Sequence, residues 1–298
     1  MRKHALKDWL IATRPWSFPA SVMPVLTTIS YLYWMNREIN VGYGVCALIG
    51  MVLFQAGGNA WSDYYDYKKG VDAEDTFGSK ILTDELFAPV EVRNLGLVLL
   101  VVAIIIGTWL VSRTGLALLW VGICGVICAL CYPFFKYRAW SDFLIFIAYA
   151  VLPAIGTSYV TTGTIHWDTL WTVVPVGLIT VAILHVNNIR DVSTDARAGI
   201  STVAMKVGVR YSIVLYTAEL LLPFVWIGVC IMWRDYPVWS LLGGLVLPLS
   251  VNNVRTVCQL PRKGYKVVVN LDERTAQLQL WFSLILALVN YTVANLTL

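Results

Sequence analysis

The sequence predicts an all-α, polytopic membrane protein of about nine transmembrane helices, its N-terminus in the cytoplasm and its C-terminus outside. Three observations predict it. The 298 residues are 58% apolar or aromatic and only 13% charged, with mean hydropathy +0.69, whereas a soluble domain carries about a quarter charged residues. Nine apolar runs can be placed along the chain, and a bilayer-spanning helix needs about 20 such residues. When the connections are assigned alternately to the two sides, nineteen of the 22 Lys and Arg fall on one side, which marks that side as cytoplasmic.

The basic start (Arg2, Lys3, Lys7, Arg14) lacks the short apolar core of a cleaved signal peptide. Within it, Leu6, Trp9, Leu10 and Ile11 predict an amphipathic helix at the interface. Runs 17–35 and 40–60 are joined outside at Arg37, and a long cytoplasmic loop follows with Lys68, Lys69, Lys80 and Arg93. Runs 94–112 and 115–134 turn outside at Arg113, and Lys136 and Arg138 return the chain to the cytoplasmic side. Runs 140–162 and 168–187 lead to Arg190, Arg197, Lys206 and Arg210. Runs 211–233 and 237–254 turn at Arg234, and Arg255, Arg262, Lys263, Lys266 and Arg274 precede the last run, 276–297. None of these runs alternates as a barrel strand does. Pro153, Gly156, Pro175 and Gly177 lie inside spans and predict helix breaks facing neighbours or a cavity. A net charge of +4 argues against a nucleic-acid partner, and six Cys with three His exclude a disulfide scaffold or a large metal cluster. Nothing here sets an oligomeric state.

Carboxylates are costly in hydrocarbon, so their placement is informative. Eight of the 18 Asp and Glu lie between positions 63 and 91. Asn59, Asp63 and Asp66 stand at i, i+4 and i+7, one face of a helix. Asn188, Asp191 and Asp195 stand at i, i+3 and i+7 after the sixth run, 129 residues later. Each triplet precedes a glycine-containing basic segment, Gly78-Ser79-Lys80 and Gly199 to Lys206. This suggests one integral-membrane domain, 1–298, made of two pseudo-repeated halves, about 1–135 and 136–298. Four facing carboxylates repel and need cations, and carboxylate with amide oxygen suits a hard ion such as Mg²⁺. Mg²⁺ is commonly shared with phosphate oxygens. Lys68, Lys69, Lys80, Lys136, Arg138, Arg190 and Lys206 lie on the same side and can meet further phosphate charge. The ligand this implies is a lipid diphosphate. Either triplet alone reads equally as helix capping or a solvated headgroup contact, and Lys68 and Lys69 as lipid-headgroup contacts.

These residues resemble the UbiA superfamily of intramembrane aromatic prenyltransferases, and within it the menaquinone-pathway branch (MenA) that prenylates 1,4-dihydroxy-2-naphthoate. The likeness rests on Asn59-x-x-x-Asp63-Tyr64-x-Asp66-Tyr67 with Lys68-Lys69-Gly70-Val71-Asp72, and on Asn187-Asn188-x-Arg190-Asp191-x-x-x-Asp195. Tyr132 to Ala139 with Asp142, and Thr13-Arg14-Pro15, extend it over nearly the whole chain. Ser62 replaces an amide common before the first Asp, Leu82-Thr83-Asp84-Glu85 is unusually acidic, and His185 stands where an apolar residue is usual.

The resemblance implies a UbiA-like bundle in a bacterial cytoplasmic membrane, with its active site facing the cytoplasm. It implies two Mg²⁺ ions, one held by Asn59, Asp63, Asp66 and Asp72 and the other by Asn188, Asp191 and Asp195. Asp63, Asp66, Asp191 and Asp195 are the catalytic acids, and Arg14, Lys68, Lys80, Lys136, Arg138 and Lys206 bind substrate, with Arg14 or Arg138 opposite the acceptor carboxylate. Polyprenyl diphosphate would ionise, and an aromatic acceptor, 1,4-dihydroxy-2-naphthoate, would capture the prenyl group with loss of CO₂ to give demethylmenaquinol. Trp61, Tyr64, Tyr65, Tyr67 and Tyr132 are wall or packing residues. His185 reads as a proton acceptor or an interhelical hydrogen-bond partner, and Cys124, Cys128 and Cys131 as packing. Other acceptors (4-hydroxybenzoate, a haem precursor, a lipid alcohol) and a secondary transporter are the rival readings. Acids crowded at one interface rather than at the midplane disfavour transport.

Overall fold

The computed structural model describes residues 4–71 and 80–297. Among them no strand forms, only an isolated bridge between Arg138 and Ser201. A helical segment lies at each of the nine apolar runs. α1 (Leu6–Ala12) precedes α2 (Pro19–Trp34), α3 (Val41–Lys68), α4 (Pro89–Thr114) and α5 (Ala117–Lys136). α6 (Ser141–Thr162) and α7 (Thr169–Arg190) follow, then the short α8 (Val192–Arg197) and α9 (Val203–Val207). α10 (Val209–Trp233) leads through a 3₁₀ stretch (Val238–Val246) to α11 (Leu247–Val257), α12 (Leu260–Lys263) and α13 (Leu271–Thr297). Among the described residues, six helices are long and apolar enough to cross a membrane by length and composition.

Three elements depart from the sequence expectation in instructive ways. α3 runs to Lys68, past the end of its apolar run, and stops at Gly70, whose φ of 70° only glycine adopts freely. Its polar last turns stay helical, so the first acidic motif rides on a continuous rod. The break expected at Pro153 is a π turn over Ile147–Val151, which absorbs the hydrogen bond that the proline nitrogen cannot donate. α7 continues through Pro175 without interruption. In α1, Leu6, Leu10 and Ile11 are exposed, as an interfacial helix requires, while Trp9 packs on Phe87.

α7 is the central helix. It packs against α10 and α13, and α13 also lies along α2, so the first and last long helices are neighbours. Val176, Ile179, Val186, Tyr216, Leu278 and Phe282 form the core between them. The outer faces of α4 and α10 expose Val98, Ile105, Leu222 and Val225, as a lipid-facing surface does. Gly177 marks the tightest crossing: a Cβ there would lie 2.5 Å from Ala150 Cβ and 3.0 Å from Phe146 Cε2, both on α6. Gly177→Ala is therefore expected to force α6 from α7 and destabilise the protein by about 1–3 kcal/mol, read as a lower midpoint of thermal unfolding in detergent.

Candidate active site

Two helix ends and the N-terminal link build the site. Arg14 sits in the left-handed region (φ 56°) between α1 and the turn into α2. That link is sewn to α3: Asn59 Nδ2 donates to the Thr13 carbonyl (3.2 Å) and to Ser17 Oγ (3.1 Å), and Gln55 Nε2 donates to the Ser17 carbonyl (2.8 Å). On the other side, α7 ends at Arg190 and Asp191 begins the turn into α8, where the Asp195 amide donates to the Asp191 carbonyl at 2.8 Å.

Between them lies a cavity of about 690 Å³. Its acidic part is lined by Asn59, Ser62 and Asp66 from α3 and by Asn187, Asn188, Asp191 and Asp195 from α7 and α8. The lining continues along α3 from Asp66 back to Cys46, about 30 Å of helix, walled by apolar side chains of α4, α5 and α6 such as Ile106, Leu110, Val121 and Tyr149.

The charges are interlocked. Asp66 accepts hydrogen bonds from Lys136 Nζ (2.8 Å) and the Tyr137 hydroxyl (2.9 Å). Arg190, itself buried, grips Asp191 with two bonds of 2.8 Å and reaches Asp272 at 3.1 Å. Burial pushes the Asp195 carboxyl up to about 7; Lys136 opposes that rise, and Asp191 and Asp66 add to it. Asp66 of the first motif and Asp191 and Asp195 of the second line the same cavity.

The residues singled out from sequence divide. Asn59, Asp66, Asn188, Asp191, Asp195, Arg14 and Lys136 line the cavity. Asp63 does not: it is buried and paired with Arg14. The reason is rotational, since Asp63 is turned about 60° from Asp66 around α3, and the cavity lies on the side of Ser62. Lys68 is exposed at the helix end beside Tyr64. Arg138 stacks on Phe134 at 3.7 Å, and Lys206 donates to the Arg138 carbonyl at 3.2 Å, so neither lines the cavity. Lys80 is not on its wall, and Asp72 lies outside the described residues. Arg190, one of the cations expected on this side, is also on the wall, and so are two residues outside the sequence candidates, Asn187 and Asp272. Asn187 stands i, i+4 and i+8 with Asp191 and Asp195, a periodicity that could have found it. Arg190 and Asp272 meet only through packing of α13 on α7.

The donor set fits a hard divalent cation. It is carboxylate and amide oxygen throughout, and Asn187 Oδ1 is buried on the wall with no hydrogen-bond partner among the described residues. Asn59, Asp66, Asn187, Asn188, Asp191 and Asp195 are the residues placed to hold such ions.

Comparisons with known proteins show the family and the fold. A family model described as the UbiA prenyltransferase family matches residues 21–265. UbiA prenyltransferase domain-containing protein 1 of Gallus gallus is 31% identical over 284 residues, covering 93% of this chain and 82% of that protein. The Homo sapiens protein of the same name is 29% identical over 291 residues, covering 93% and 81%. Among solved structures, a UbiA homologue from Archaeoglobus fulgidus bound to GPP and Mg²⁺ superposes with a TM-score of 0.65 at 12% identity, covering 97% of this chain and 99% of that one. The apo structure of a UbiA homologue from Aeropyrum pernix K1 gives 0.68 at 11% identity, covering 89% and 97%.

Proposed function

Given that this chain belongs to the UbiA prenyltransferase family, we propose that it transfers a polyprenyl group from polyprenyl diphosphate to 1,4-dihydroxy-2-naphthoate, releasing diphosphate and CO₂ to form demethylmenaquinol. The observation that carries this reading is the single cavity that joins an acidic, amide-rich mouth to a long apolar channel. An amphiphile with a charged head and an isoprenoid tail fits both ends. The Archaeoglobus homologue is bound to GPP and Mg²⁺, a ligand pair of the kind proposed here. The membrane is read as a bacterial cytoplasmic membrane with the acidic mouth facing the cytoplasm.

Bound Mg²⁺ would neutralise charge developing on the departing diphosphate. The chain's own part is positional. Asn59, Asp66, Asn187, Asn188, Asp191 and Asp195 set where that charge is held. Lys136, fixed by Asp66, adds a cation at the mouth. Tyr132 and Tyr149 stand on the wall next to the apolar channel, where aromatic faces favour an allylic cation and water is scarce.

Arg14 is the better candidate than Arg138 for the acceptor carboxylate, because it lines the cavity while Arg138 lies outside it. Membranes containing the chain, given labelled geranylgeranyl diphosphate, Mg²⁺ and dihydroxynaphthoate, should yield the decarboxylated prenyl product. Product with 4-hydroxybenzoate or a lipid alcohol alone would overturn the acceptor, and no Mg²⁺-dependent product with any acceptor would overturn the reaction. Arg14→Met should raise the KM for dihydroxynaphthoate about tenfold or more, as loss of a charged hydrogen bond does. It should change the KM for 1,4-dihydroxynaphthalene, which lacks the carboxylate, far less.

A further inference from the structure

Glu219 stands apart from every other carboxylate. Among the described residues it is the one acid set well inside a spanning helix, ten residues from the start of α10 at Val209. An ionisable side chain at such depth is kept only with a partner and marks a site. Its partners come from two other helices. His185 Nδ1, on α7, lies 3.1 Å from Glu219 Oε1 and 3.2 Å from Asp142 Oδ2, in the first turn of α6. The three atoms all lie within 4.8 Å of one another, and His185 is wholly buried.

With both carboxylates ionised, the charges of this trio do not close by themselves. No Lys or Arg pairs with any of the three among the described residues. An imidazolium would leave two carboxylates against one cation, a net negative charge in a low-dielectric interior. Glu219 Oε2 is buried with no hydrogen-bond partner among the described residues. A neutral imidazole, two carboxylates and one divalent ion sum to zero. One imidazole nitrogen with two carboxylates is a donor set for zinc or a first-row transition ion rather than for Mg²⁺. The outer contacts are also those of a ligand: Asp142 Oδ1 accepts from Ser141 Oγ (2.9 Å) and Asn188 Nδ2 (3.4 Å), which leaves Oδ2 turned to the trio. The Asp142 side chain is partly exposed.

We propose that Asp142, His185 and Glu219 form a second metal site for a borderline divalent ion such as Zn²⁺, with Mn²⁺ as its paramagnetic probe, which clamps α6, α7 and α10 behind the acidic mouth. Through the Asp142–Asn188 bond the clamp holds one wall residue of the cavity, yet the site requires neither diphosphate nor the acceptor.

The test uses full-length protein in nanodiscs, stripped with chelator and titrated with Mn²⁺. A background carrying Asp66→Asn and Asp191→Asn weakens the cavity-facing acids. In wild type and background alike, one Mn²⁺ should bind with electron-spin-echo modulation from a directly coordinated ¹⁴N, a signature no all-oxygen site produces. Glu219→Gln, nearly isosteric, should weaken that binding about tenfold or more, and His185→Gln should abolish the ¹⁴N modulation. Should His185→Gln fail to fold, Glu219→Gln and the wild-type spectrum decide the matter. Absence of ¹⁴N modulation in wild type, or unchanged Mn²⁺ affinity in Glu219→Gln, would overturn the site and show the trio to be an ion pair. Neither result touches the prenyl-transfer reading, which the product assay decides.

Discussion

Alanine at Asp66, Asp191 or Asp195 should each lower prenyl transfer at least about 100-fold while leaving the protein inserted in the membrane. A 100-fold loss corresponds to about 2.7 kcal/mol of transition-state stabilisation, within what one carboxylate contributes when charge builds on a leaving group in a water-poor site. The three acids line the same mouth, and Asp195 and Asp66 belong to different helices, so no single backbone shift explains a common effect. Asp66→Ala should be the most severe, since it also strips Lys136 and Tyr137 of the acceptor they share. Asp195→Asn is the cleanest of the set because Asp195 has no side-chain ion pair to break among the described residues. Turnover with labelled prenyl diphosphate, measured across a Mg²⁺ titration, separates lost cation affinity from lost folding. Near-native rates in any two of the three variants reject the assignment.

How much of this was legible beforehand follows from what one-dimensional pattern carries. The nine apolar runs each became helix because length and composition decide that outcome locally. Positions of the acids at the end of α3 and the start of α8 follow from the same map. Finer placement did not follow. Asn59, Asp63 and Asp66 share a helix face about 60° wide, and only the docking of the N-terminal link decides that Asp63 meets Arg14 while Asp66 meets the cavity. Asn187 and Asn188 are adjacent, and both reach the wall. Arg190 bonding Asp272 joins residues 82 apart in sequence, and the Asp142–His185–Glu219 trio joins three helices. Such meetings are set by packing of α6, α10 and α13 around α7, which no local spacing encodes.

Asp63 is expected to behave unlike its neighbour three residues on, and that contrast tests the geometry most directly. Its carboxylate is almost fully buried and pairs with Arg14, whereas the Arg14 side chain reaches the cavity wall and remains partly exposed. Removing the acid leaves a half-buried guanidinium without this counter-ion, at a cost of about 1–3 kcal/mol. The same loss frees Arg14 to leave the acceptor. Asp63→Ala should therefore lower the unfolding midpoint and raise the KM for dihydroxynaphthoate, as Arg14→Met does. The double variant should recover part of the lost stability, because the cation that lost Asp63 is gone as well, yet be no worse toward acceptor than either single change. The Mg²⁺ concentration for half-maximal rate should stay within about threefold of wild type in Asp63→Ala, whereas in Asp66→Ala it should rise by about tenfold or more. A tenfold rise in Asp63→Ala as well would make Asp63 a cation ligand, as its place in the motif suggests, and would mean that α3 turns on binding to bring both acids to the mouth.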